Sequence, residues 1–152
     1  MRFFSFVFLA LSMVAFTACQ EDAPDPVEIV IDSSQPQGTF TAQRSGTFVE
    51  QNGTGSAGAA QIGTDSTGTQ FLRFGDDFMT NLGTGTVTIY LSTSDTFTAD
   101  PGSGNPDLRL VGPVADNGEA YFKLMPTAEA RFSHVILWCG TANIPFGNAA
   151  LN

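Results

Sequence analysis

Basic residues are scarce in this chain. Six Lys and Arg stand against fifteen Asp and Glu over 152 residues, with one histidine, one tryptophan and two cysteines. A surface of formal charge −9 repels phosphate backbones and anionic head groups, which argues against nucleic acid as a partner. No run of like charge exceeds three residues, so the acidity is a dispersed, solvated surface rather than a tail. One histidine cannot build a two-histidine copper site, and two cysteines cannot hold an iron–sulfur cluster of four thiolates. Neither a Cys-x-x-Cys-His haem attachment nor a phosphate-cradling glycine loop ahead of a helix occurs. Helical periodicity is missing throughout, apart from one possible turn at 126–132. The longest apolar stretch, Phe3 to Phe16, is shorter than the ~20 residues that a membrane span needs.

That stretch reads instead as processing. Arg2 provides a positive start, and "FTAC" places small residues before Cys19, so 1–18 is expected to be a lipoprotein signal peptide. The motif resembles a bacterial lipobox, with Phe16 in place of the usual leucine. It implies a diacylglycerol thioether on Cys19, cleavage before it and acylation of the new amino terminus, the palmitate-type anchor that holds a protein stably on a membrane. "QED" after Cys19 resembles the export signal of Bacteroidetes-like bacteria. The expected location is therefore the cell envelope by lipid anchor; the acidic signal points to the outer membrane and its surface, and the final leaflet is left open. An ordinary cleaved signal is the alternative. Loss of Arg2 with the leader leaves a formal charge of −10.

Residues 19–37 form an acidic tether, in which Pro24, Pro26 and Pro36 oppose regular structure. "VEIVI" (27–31) could alternatively add a strand. With Cys19 lipidated, Cys139 has no partner within the chain, so the fold must rest on a hydrophobic core. All sixteen glycines lie beyond residue 37, and strand signals recur there at short intervals. They cover 38–44, 46–51, 58–64, 69–74, 85–92, 108–112, 119–125 and 133–139, followed by an apolar segment at 142–151. Turn chemistry at Asp65-Ser66-Thr67-Gly68 and Asp116-Asn117-Gly118 separates them, and 93–107 is a long surface loop. The pattern predicts an all-β fold, a single antiparallel β-sandwich or barrel-like domain over 38–152.

Alternation assigns faces. Val87, Ile89 and Leu91 share one side of their strand. Val135, Leu137 and Cys139 share one side of 133–139, and His134, Ile136 and Trp138 the other. A strand apolar on both sides is central, with a loop or the following segment over its second face. Pro145 donates no ladder hydrogen bond and belongs at an edge or a bulge.

"VILWCGTANIPFGNAAL" resembles the closing signature of the DM-thirteen domain family: an apolar strand, Trp-Cys, a short gap, then Phe-Gly and a last apolar strand. "SGTFVEQNGTGSAGAAQIG" is similar to its opening hairpin, "LRFGDDFMTNLGTGTVTIYLS" to its central part, and "GEAYFKLM" to its Gly-x-x-Tyr strand. "NLGTG" departs from the family's usual Gly-Pro-Asp turn. The resemblance covers roughly 45–151 and implies a small β domain associated with electron transfer. In that reading Cys139 is the redox residue, Trp138, His134, Tyr121 and Phe146 support it, and a partner carries the cofactor, since the chain supplies none of its own.

The residues themselves leave Cys139 open. A reactive thiol needs a nearby cation, a helix N-terminus or a second cysteine, and none is visible in the sequence. A small buried hydrophobe is the other reading. Asp76 and Asp77 form a weak calcium candidate with Asp100, Asn105 or Asp107, against the simpler reading of solvated turns. A Ser-His-Asp triad would need His134, which sits within a strand. Tyr90, Tyr121, Trp138 and Phe146 could line a ligand groove, but aromatics in a β domain are usually core. Two functions follow. One is a lipid-anchored redox or electron-transfer accessory that acts through Cys139 with an envelope partner. The other is a non-enzymatic envelope binding or adhesion module, presenting loops such as 93–107, in which Cys139 only packs. Turnover by this chain alone has the least support.

Overall fold

The computed structural model describes residues 34–98 and 104–152. The leader, Cys19, most of the tether with 27–31, and Asp100 lie outside the described residues. Among those described there are nine strands and no helix: β1 (Thr41–Thr47), β2 (Val49–Glu50), β3 (Ala59–Thr64), β4 (Gln70–Phe74), β5 (Val87–Ser92), β6 (Leu108–Pro113), β7 (Ala120–Lys123), β8 (His134–Cys139) and β9 (Ile144–Ala150). They pair antiparallel into a four-stranded sheet, β1-β3-β4-β7, and a five-stranded sheet, β2-β9-β8-β5-β6. The two sheets do not close into a barrel. The fold is an all-β sandwich.

Alternation along the strands supplies the core. Ala60 and Ile62 of β3 and Leu72 and Phe74 of β4 face Val87, Ile89 and Leu91 of β5 and Val135, Leu137 and Cys139 of β8, all buried. Phe48, Phe74 and Phe78 meet ring to ring at 4.3–5.4 Å between centroids, the spacing of tilted and edge-on aromatic pairs. Each such side chain contributes about 1.5–3 kcal/mol on burial, so a core of this size requires no disulfide.

Phe48 also explains a division that alternation does not show. The stretch 41–50 begins in the four-stranded sheet and ends in the five-stranded one, and Phe48 turns inward between them with its N–H on Gly58 O. The seam is tight at Gly46, where a Cβ would lie 2.1 Å from Ala150 O. Ser45 and Asn152 exchange both backbone hydrogen bonds beside it, at 3.0 Å each.

Pro145 lies at a bulge. The β8–β9 register shifts between Leu137 and Trp138, which pair with Gly147 and Pro145, so Phe146 is the extra residue and turns into the core. The possible turn at 126–132 is not helical: the Phe132 N–H reaches Glu129 O at 3.1 Å in an isolated turn, and Ala128 and Phe132 drop into the core. The strand expected over 119–125 is shorter, because Leu124 leaves β7 for the core while its N–H remains on Gln70 O.

Candidate functional site

Cys139 ends β8 on its inner face, between Val87 and Ile144 in register, and is 0% exposed. Its carbonyl accepts the Asn143 N–H at 2.8 Å, and its sulfur accepts the Ala142 N–H at 3.5 Å. Asn143 adopts φ 56°, the left-handed conformation asparagine tolerates, and so closes the turn into β9. No cation, second sulfur or helix terminus reaches the thiol among the described residues. As built, the group can pack and can accept a weak hydrogen bond. Attack by this thiol on a disulfide or an oxidant requires the end of β8 to open first.

Trp138 is on the opposite face, half-buried. Phe97, from the loop after β5, stacks on it at 4.0 Å and 18° and meets Tyr90 edge-on at 5.0 Å. Beneath this cluster Ile136, in register with Tyr90, is fully buried although it points away from the core. A loop thus covers the second side of β8.

His134 shares that face but stands four residues from Trp138, about 13 Å along the strand. Its Nδ1 lies 2.9 Å from Ser133 Oγ, which itself donates to Thr93 O at 3.1 Å. A hydroxyl has a single proton, so here Ser133 accepts and His134 Nδ1 carries the hydrogen. That polarity is the reverse of the one a nucleophilic serine needs.

Tyr121 lies on the other sheet, on the outer face of β7. Its ring meets Phe40 at 5.7 Å and Phe71 at 6.4 Å, and its hydroxyl donates to Glu119 at 3.2 Å. Arg73 donates to the same Glu119 oxygen at 2.6 and 2.9 Å and to Gln61 at 2.7 Å. The Arg73 hydrogen bond holds the Glu119 carboxyl below its ordinary range and raises the Arg73 guanidinium in turn. Both partners are partly exposed, so the pair contributes little to stability.

The expected site residues therefore fall into three places: Cys139 and Phe146 in the core, Trp138 and His134 outside the five-stranded sheet, Tyr121 outside the four-stranded one. Asp76 and Asp77 are separated from Asn105 and Asp107. The former follow β4, at the end of the sandwich where β8 finishes, and Asp77 accepts the Ala59 N–H at 3.0 Å. The latter precede β6, at the end where β8 begins, and Asp107 pairs with Arg131 at 3.4 Å. Among the described residues no three His, Cys, Asp or Glu side chains converge on one point. An open depression of about 340 Å³ lies between Gly68–Gln70 and Lys123–Thr127, and none of the expected site residues lines it.

Two built polar features are not apparent from the sequence pattern. Thr54, Ser56 and Thr80 form a buried hydroxyl chain, with oxygens 3.0 and 2.7 Å apart, that ends on Phe146 O at 2.5 Å. Serine and threonine are so common here that nothing singles these three out. The other is Asp65. The turn is legible from its residue types, but the long-range bond from Gln37 N is not.

Fold and site together define an all-β sandwich with a closed core, an interior thiol and no assembled catalytic constellation among the described residues. Compared with protein-family models, curated proteins and solved structures, the chain matches none.

Proposed function

We propose that this chain is a lipid-anchored protein of the cell envelope, held through Cys19, whose sandwich is a non-enzymatic binding or adhesion module. The observation that carries the choice between the two sequence readings is the place of Cys139. Its thiol sits at 0% exposure among Val87, Leu137 and Ile144, with no activating group beside it among the described residues. A redox accessory passing electrons to a partner-borne cofactor would need that thiol at the surface. The DM-thirteen resemblance remains the support for the electron-transfer reading, and it rests on the quoted motifs alone.

Thiol reactivity separates the two. Under native conditions Cys139 should label slowly, at the rate of local opening, and as fast as a free thiol once the chain is unfolded. Cys139→Ala should cost about 1–2 kcal/mol in denaturant titrations through a small cavity and lost contacts. Rapid labelling of the folded protein, with the Cys139→Ala midpoint unchanged, would return the redox reading to first place.

A further inference from the structure

The chain holds two Asn-Gly pairs, Asn52–Gly53 and Asn117–Gly118, and the fold treats them in opposite ways. We propose that Asn52–Gly53 is a self-modification site, which loses its side-chain amide spontaneously, while Asn117–Gly118 is held inert by its surroundings.

The reaction needs no enzyme. The Gly backbone nitrogen gives up its proton to hydroxide and attacks Cγ of the preceding asparagine. A C–N bond forms, the Cγ–Nδ2 bond breaks, and ammonia leaves a five-membered cyclic imide. Water then opens the imide at either carbonyl, giving an aspartate or an isoaspartate. Glycine favours the step because no Cβ obstructs the attacking nitrogen, and its backbone rotates freely into the geometry required.

At 117–118 both reacting groups are engaged. Asn117 Oδ1 accepts Thr80 N–H at 2.9 Å, Asn117 Nδ2 donates to Thr80 O at 3.2 Å, and the nucleophile itself, Gly118 N–H, donates to Phe78 O at 2.8 Å. Three hydrogen bonds to the 78–80 segment must open before attack. At 52–53 the nucleophile is free: Gly53 N–H has no hydrogen-bond partner among the described residues, and nothing lies within 4 Å of where a Gly53 Cβ would be. Asn52 is exposed on a left-handed turn of φ 58° followed by 68°, and its side chain makes one bond, Nδ2 to Pro145 O at 2.7 Å. Two more bonds guard Asn117 than guard Asn52. At a net worth near 1 kcal/mol each, conversion in the folded protein should be about thirtyfold faster at Asn52.

The product has a structural consequence. An aspartate at position 52 has no donor for Pro145 O and sets a carboxylate against that carbonyl, beside the β9 bulge. An isoaspartate lengthens the backbone in the turn that leads out of β2.

The experiment is an incubation of the full chain at mildly alkaline pH, folded and in concentrated urea, with peptide mass spectrometry at both pairs over time. In the folded protein Asn52 should convert and Asn117 should stay amide, and in urea the two should converge. Equal rates in the folded protein, an Asn52 that stays intact, or a difference that persists in urea would each overturn the proposal, the last because it assigns the cause to local sequence and not to the fold.

Discussion

At Asp65 one carboxylate takes four hydrogen bonds: from the Thr67 hydroxyl at 2.6 Å, and from the backbone N–H groups of Thr67, Thr69 and Gln37 at 2.8–3.0 Å. Only the ionised form accepts all of them, so its pKa falls from 3.8 to about 2, with the Thr67 hydroxyl as the largest cause and the Gln37 N–H next. A lowered folded-state pKa means that the contribution is complete above the unfolded-state value and is lost as pH falls through about 2. Asp65→Asn should therefore unfold at lower urea than the parent near neutral pH, and the gap should shrink steadily below about pH 4. A gap of constant size down to the acid limit would show that the charge on Asp65 is irrelevant. At this scale the sequence is a partial guide. Asp-Ser-Thr-Gly announces a turn because Asp caps its own backbone and Gly68 takes φ 83°. That the same carboxylate also holds Gln37, 28 residues away, depends on where the incoming segment is laid.

Among elements, strand positions were legible to within a residue or two wherever apolar alternation is clean, as over 85–92 and 133–139, because period-two burial needs only local information. Sheet membership was not legible. The signals at 38–44 and 46–51 place a break at Ser45, yet β1 runs through it and the chain divides between the two sheets at Phe48; Tyr121 and Trp138 look alike in sequence yet lie on opposite outer faces. Which faces come together is decided by long-range pairing, and a site assembled from strand residues inherits that ambiguity. The second apolar side of β8 did predict a cover, and Phe97 provides it. Phe97→Ala should expose Trp138, the only tryptophan, and move its emission to longer wavelength with stronger quenching by acrylamide. The lost ring pair should cost about 0.5–1.5 kcal/mol beyond the lost burial, with the domain still folded. Unchanged emission would mean that the loop does not hold Phe97 against Trp138 in solution.

For the whole molecule, the proposed attachment can be tested apart from folding. Cys19 lies outside the sandwich in sequence, so Cys19→Ser should abolish lipid labelling and move the protein from the membrane to the soluble fraction, while the melting transition of the domain is unchanged. A Cys19→Ser protein that still sediments with membranes would sink the proposed anchor. The seam beside Gly46 bears on the order of folding events in the proposed export. Ser45 finds its hydrogen-bonding partner only at Asn152, and β8, the middle strand of the five-stranded sheet, begins at His134. A chain emerging amino end first can form the β3–β4 hairpin early, but the five-stranded sheet has no centre until residues 134–152 are free, and closing so long a loop is slow. If the proposed export holds, the sandwich can complete itself only once β8 and β9 are both free, so that chain would remain threadable until its last two strands are through.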